Sequence, residues 1–200
     1  QLIERDKVDF VVGPVFSNIL LAIHKPVSEA KVFLISPNAG PSPLAGKGCS
    51  AFFFSTSYQN DQPPEVLGKY AQDKGYKKAF LLAPNYQAGK DMIGGFKRHF
   101  KVEIADEVYT PLGQLDFSAE LAKIASAKPD AFFVFMPGGM GVNLVKQYRQ
   151  AGLESIPFLS VFTVDESTLP AQQDAAVGFF SGMTWAPNTD TPENKRFVAD

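Results

Sequence analysis

Short apolar runs alternate with longer amphipathic stretches along nearly the whole chain. The first run, Val8-Asp9-Phe10-Val11-Val12-Gly13, is followed by Pro14-Val15-Phe16-Ser17-Asn18. The second, Val32-Phe33-Leu34-Ile35, is followed by Ser36-Pro37-Asn38-Ala39-Gly40. Apolar runs halted by Gly, Pro, Ser or Asn have the form of buried parallel strands. The pattern predicts strands at Val8–Gly13, Lys31–Ile35, Ala51–Ser55, Lys78–Ala83, Glu103–Tyr109, Ala131–Met136, Pro157–Val161 and Val177–Thr184. It predicts helices at Asn18–Ala30, Gln62–Lys74, Ala88–His99, Ser118–Ala127, Gly141–Ala151 and Glu193–Asp200. Strands and helices in alternation, with short connections, predict a doubly wound α/β fold.

Proline and glycine positions refine this reading. Pro26 falls inside the first helix and should kink it or end its regular part. Pro63 and Pro64 fall in the first turn of the second helix, where proline is tolerated. Gly152 marks a helix stop after Ala151. In parallel α/β sheets ligands bind outside the carboxyl ends of the strands. Phe16, Ser17, Asn38, Ala39 and Gly40 should therefore cluster around one cleft. Ser17 stands before a helix, where a hydroxyl and free amides can hold an anion or simply cap the helix.

Composition excludes several classes. Lysine and arginine are scattered, and the net charge is −2, so no nucleic-acid surface is indicated. No apolar run approaches the roughly 20 residues of a membrane-spanning helix. No signal peptide is visible at Gln1. The opening Gln1-Leu2-Ile3-Glu4-Arg5-Asp6-Lys7 reads as the tail of a helix, so the chain is expected to be an internal piece of a longer protein that carries its signal peptide elsewhere. Cys49 is the single cysteine; it has no partner here and reads as a small, partly buried turn residue. His24 and His99 show no metal-ligand spacing, and there is no G-x-S-x-G elbow, so neither an enzyme nor a cofactor is expected. Gly138-Gly139-Met140-Gly141 opens a helix after a strand but lacks the dinucleotide spacing. Among eighteen phenylalanines, Phe10, Phe33, Phe53, Phe80 and Phe133 read as core. Phe16, Tyr58, Tyr86, Phe162 and Trp185 fall at strand ends or crossovers, where rings can line a cleft.

The stretches GPVFSN and ISPNAG, the strand ending Pro84-Asn85-Tyr86, and Asp116-Phe117-Ser118 occur in one order along the chain. Together they resemble the periplasmic solute-binding proteins of ABC importers, of the leucine/isoleucine/valine-binding, type I family. The run Asn38 to Pro43 most resembles the branch that binds aromatic carboxylates. The resemblance implies two doubly wound lobes, with residues 1–59 ending lobe one, 60–185 forming lobe two and 186–200 returning to lobe one. The crossovers would be Ser55–Asn60 and Met183–Asn188. It implies a periplasmic location, transporter membrane subunits as partners, and a small carboxylate between the lobes.

For the site, the resemblance adds Tyr86 as a ligand-facing tyrosine and Pro137 and Gly138 as a second-lobe backbone loop. Tyr58 and Asn60 reach the cleft from the first crossover, while Asp61 reads as a helix cap. Amino-acid binders of the family commonly carry a threonine at the position aligned with Gly40 and an acid at that aligned with Phe162. Both differences point to an aromatic carboxylate without an ammonium. A branched-chain amino-acid or amide receptor stays open, with Asp165 or Glu166 supplying the acid. So does a small α/β enzyme.

Overall fold

The computed structural model describes all 200 residues. The strands are β1 (Phe10–Val12), β2 (Phe33–Ser36), β3 (Phe53–Ser55), β4 (Lys78–Pro84), β5 (Glu103–Thr110), β6 (Ala131–Val134), β7 (Phe158–Ser160) and β8 (Phe180–Ser181). The helices are α1 (Ser17–Glu29), α2 (Gln62–Asp73), α3 (Gln87–His99), α4 (Ser118–Ala127), α5 (Gly139–Gln150), α6 (Leu169–Gln172) and α7 (Pro192–Ala199). The strands form two sheets, ordered β1-β2-β3 and β5-β4-β6-β7-β8. All pairings are parallel. Four of the expected strands thus divide as the two-lobe resemblance implied: β1 and β2 share one sheet, β4 and β6 the other.

The five-stranded sheet is wound on both faces. Along β4 and β6, Phe80, Leu82, Phe132 and Val134 pack with Leu121 and Ile124 of α4 and with Leu144, Val145 and Tyr148 of α5. The intervening Ala79, Leu81, Ala83, Ala131 and Phe133 pack with Leu67 and Ala71 of α2 and with Met92, Ile93 and Phe96 of α3. Period-two alternation therefore splits one wholly apolar strand between two cores. The order places a topological switch between β4 and β6, because the chain leaves β4 toward β5 on one side and returns to β6 on the other. A crevice opens at the carboxyl ends of such a pair.

The three-stranded sheet is covered on one face, where Leu34 packs with Leu20 and Val27 of α1. Its other face is open. Within this chain Phe10 is 58% exposed and Phe33 37%, so neither is buried here, where the sequence pattern reads both as core. Phe33 instead stacks on Phe10 at 5.5 Å along this open face. Phe80 and Phe133 are fully buried.

Local departures have local causes. β6 stops at Val134 because the Met136 amide turns to the Thr163 hydroxyl at 2.8 Å. β8 is confined to Phe180–Ser181, between Gly178 at φ +83 and Gly182. α6 and two 3₁₀ turns, Ser42–Ala45 and Gln173–Ala176, had no signature in the pattern. α1 runs through Pro26 to Glu29. Gly152 follows α5 at φ +67, the left-handed conformation that a helix stop uses. Cys49 follows a turn but is exposed rather than partly buried.

Candidate ligand-binding site

Loops from both sheets meet around a cavity of about 270 Å³. Phe16 arrives after β1 and Asn38 after β2, Tyr58 from the crossover behind β3, and Tyr86 after β4. Pro137 and Gly138 follow β6, and Phe162 follows β7. All seven were expected at strand ends, and all line this cavity. Val15, Phe135, Asp165 and Ser167 line it as well. Phe135 is legible in hindsight as the first residue beyond β6. Ser167 carried no signal. A larger cavity of about 790 Å³ opens elsewhere, lined by Lys77, Lys128, Asp130 and Pro157. It lies at the amino ends of β4, β6 and β7, the end at which parallel sheets do not carry their ligands. The Asp130 carboxylate there is already held by the amides of Lys77 and Lys78 at 2.8 and 3.0 Å.

Aromatic rings form the walls of the smaller cavity. Tyr58 stacks on Phe162 with centroids 4.9 Å apart and planes at 22°. Tyr86 stacks on Phe135 at 6.2 Å and meets Phe16 at 6.0 Å with planes tilted by 59°. Phe16 follows the three-stranded sheet and Tyr86 the five-stranded one, so this last contact joins the two. Phe162 has φ +51, a conformation that bulky residues rarely adopt and that costs energy to maintain. It holds the ring against Tyr58 from a strand end.

Three helix starts converge on the same space. Phe16, Tyr86 and Gly138 are the N-cap residues of α1, α3 and α5, and none of those helices has a side-chain cap bond. Each N-terminus carries unpaired amides and the equivalent of roughly half a positive charge. No lysine or arginine lines the cavity; Asp165 is its one charged side chain. Burial pushes the Tyr58 phenol up to about 12. Burial, and then the neighbouring Tyr58, push Tyr86 up as well. Both phenols therefore stay neutral around pH 7 and can donate hydrogen bonds. The arrangement suits a small planar anion: amides and phenols for its charge, rings for its faces.

Ser17, Ala39, Gly40 and Asn60 were expected at the site but do not line the cavity. They belong to a buried polar network beside it. The Asn60 side-chain amide donates to the Ser17 hydroxyl at 3.0 Å and to Asp91 Oδ2 at 3.1 Å. Asn60 also exchanges two bonds with Gly40: its backbone N–H reaches the Gly40 carbonyl at 2.8 Å, and its Oδ1 accepts the Gly40 N–H at 3.2 Å. Asp91 of α3 further accepts from the Ser42 amide at 3.0 Å and from Gln87 at 2.8 Å. The Ala39 carbonyl accepts from Ser36 at 2.6 Å. The Gly40 backbone is thus engaged within the protein.

Two capping readings change. Ser17 is the first helical residue of α1, with Phe16 at the cap, so its hydroxyl does not cap the helix. Asp61 occupies the cap position of α2 but makes no cap bond; its carboxylate pairs with Arg98. Asp91, the acid that ties the network together, had no sequence signal, because its partners Asn60 and Ser42 lie 31 and 49 positions away.

A family model described as periplasmic binding protein matches residues 1–200. A Leu/Ile/Val-binding protein homolog of Brucella melitensis is 28% identical over 207 residues, covering 100% of this chain and 53% of the relative. A solute-binding protein of an ABC transporter from R. palustris, in complex with benzoate, matches with a TM-score of 0.92 and 32% identity, over 99% of this chain and 56% of that one. Another from R. palustris, in complex with 4-hydroxybenzoate, matches with a TM-score of 0.90 and 31% identity, over 99% and 55%. The chain spans about half the length of the relatives it matches.

Proposed function

The chain belongs to the periplasmic binding protein family, and from that premise we propose that it contributes the ligand cleft of an extracytoplasmic receptor for a small aromatic carboxylate. The receptor delivers its ligand to the membrane subunits of an ABC importer and performs no chemistry of its own. One observation carries the reading: three helix N-termini without side-chain caps converge on a cavity walled by five aromatic rings. At about 270 Å³ the cavity lies just below the roughly 300–1,000 Å³ typical of drug-sized ligands, which suits a single ring with short substituents. The benzoate and 4-hydroxybenzoate held by the two R. palustris proteins support the same class.

In this reading the carboxylate sits against the amides at the starts of α1, α3 and α5. Tyr58 and Tyr86 donate to it, and Ser17 supports the cleft from the Asn60 network behind the cavity. Residues 1–59 and 186–200 belong to one lobe and 60–185 to the other, and closure about the crossovers brings Phe16 and Tyr86 together. A branched-chain amino-acid ligand is the second reading, favoured by one feature, the presence of Asp165 among the lining residues. Titration calorimetry on the full-length protein separates them. Benzoate and phenylpropenoate are expected to bind, and leucine and valine to bind more weakly than either. Leucine or valine binding more tightly than every aromatic acid tested would overturn the proposal.

A further inference from the structure

Asp165 is out of place in a site built for an anion. It lies in the loop after β7 and lines the cavity among aromatic rings and helix N-termini. A second carboxylate nearby repels the ligand's own unless a hydrogen donor stands between them. The aspartate is not there by looseness of its loop. Its Oδ1 accepts from the Ser167 amide at 2.9 Å, the Ser167 hydroxyl at 2.6 Å and the Thr168 amide at 3.0 Å. Thr168 is buried and bonds back to the Thr163 carbonyl at 3.2 Å, and Gln172 reaches that same carbonyl at 2.6 Å. One oxygen is therefore fixed by the turn. The other, Oδ2, has neither a hydrogen-bond donor nor a cation from the chain.

A carboxylate oxygen accepts and cannot donate. Its match on a ligand is a hydrogen donor. An ammonium brings three donors and a full positive charge into a cavity toward which three helix N-termini point, so it meets unfavourable potential with one free oxygen to pair it. A phenolic hydroxyl brings one neutral donor, which one free oxygen satisfies. Resting on the aromatic-carboxylate reading above, we propose that Asp165 is a specificity-determining residue: its Oδ2 accepts the phenolic hydrogen of a hydroxybenzoate-type ligand and selects it over unsubstituted benzoate.

The test is a set of titrations on the full-length protein with benzoate, 3-hydroxybenzoate, 4-hydroxybenzoate and 4-methoxybenzoate. The quantity read is the ratio of each dissociation constant to that of benzoate. A charge-assisted hydrogen bond predicts that at least one hydroxybenzoate binds about tenfold or more tightly than benzoate. Asp165→Asn keeps Oδ1 for the loop and replaces Oδ2 by a donor, so the ratio should rise from about one tenth to about one or above. The methoxy compound, which keeps the oxygen and lacks the hydrogen, should show no advantage on the unmodified protein; this arm stands even if the variant misfolds. No hydroxyl preference, a preference that survives in Asp165→Asn, or an equal preference for the methoxy compound would each overturn the assignment while leaving the carboxylate reading intact. Failure of every benzoate to bind would overturn both.

Discussion

A Cβ at position 40 would lie 1.9 Å from the Tyr58 carbonyl oxygen. The glycine is there because the loop after β2 and the first crossover touch backbone to backbone, and a side chain of any size would push Tyr58 out of the cleft. The missing hydroxyl at this position thus has a packing cause as well as a consequence for the ligand. Ser17 is the neighbouring case. Its hydroxyl accepts from Asn60 at 3.0 Å, and the residue is 2% exposed, so it bears on the ligand only through Asn60 and the crossover that carries Tyr58. Ser17→Ala leaves the buried Asn60 amide short of a partner and is expected to weaken aromatic-acid binding by about 1–3 kcal/mol, the range for a buried amide left unpaired. Calorimetry alongside a circular-dichroism check of the fold measures it. Affinity unchanged in a folded variant would mean that this network does not hold the cleft in its binding geometry.

At the scale of elements, α2 and α3 approach more closely than side chains would permit. A Cβ on Gly68 of α2 would meet the Phe96 carbonyl oxygen at 2.1 Å, and one on Gly95 of α3 would meet that of Asp61 at 2.2 Å. Both obstacles are backbone and cannot swing away. This contact fixes α3, whose start presents Tyr86 to the cavity and whose Asp91 holds the crossover. Gly68→Ala should therefore lower stability by about 1–3 kcal/mol through overpacking, outweighing alanine's helix preference. Gly94, one position before Gly95, has nothing within 4 Å of its would-be Cβ. Gly94→Ala should raise stability by about 0.5–1 kcal/mol from helix propensity alone. Urea unfolding of the pair reads both signs; equal effects would mean that the helix contact is not the constraint.

At the scale of the molecule, buried tyrosines tie stability to alkaline pH. Tyr58 is pushed up to about 12 by burial, and Tyr86, Tyr109 and Tyr148 are raised too, each chiefly by burial. Burial favours the neutral phenol in the folded state, whereas the unfolded chain ionises near pH 10. Below that pH their contribution is fully present. Above it the unfolded state binds fewer protons than the folded one, so stability falls as pH rises from about 10 toward 12. The melting temperature should drop over that window, with tyrosinate absorbance appearing together with unfolding. Full ionisation near pH 10 with an unchanged dichroism spectrum would contradict it.

The sequence determined the alternation of strands and helices and the polarity of each strand. It also determined that residues 16, 38, 58, 86, 137, 138 and 162 fall where strands end. These follow from chain-local facts: apolar runs of strand length, helical periodicity, and Gly, Pro, Ser or Asn where a run must turn. Only the tertiary structure decided which of those residues face the cavity and which are tied up behind it. Ser17, Gly40 and Asn60 look like site residues one at a time, yet they bond to one another and to Asp91 across 20 to 43 positions of chain. Phe10 and Phe33 look like core, yet they lie on a sheet face that no helix of this chain covers. The strand order β5-β4-β6, which opens the crevice, is likewise a long-range pairing. Hydrogen-bond partners and close approaches between distant segments leave no period in the sequence, because each is set by where two separate elements come to rest against each other.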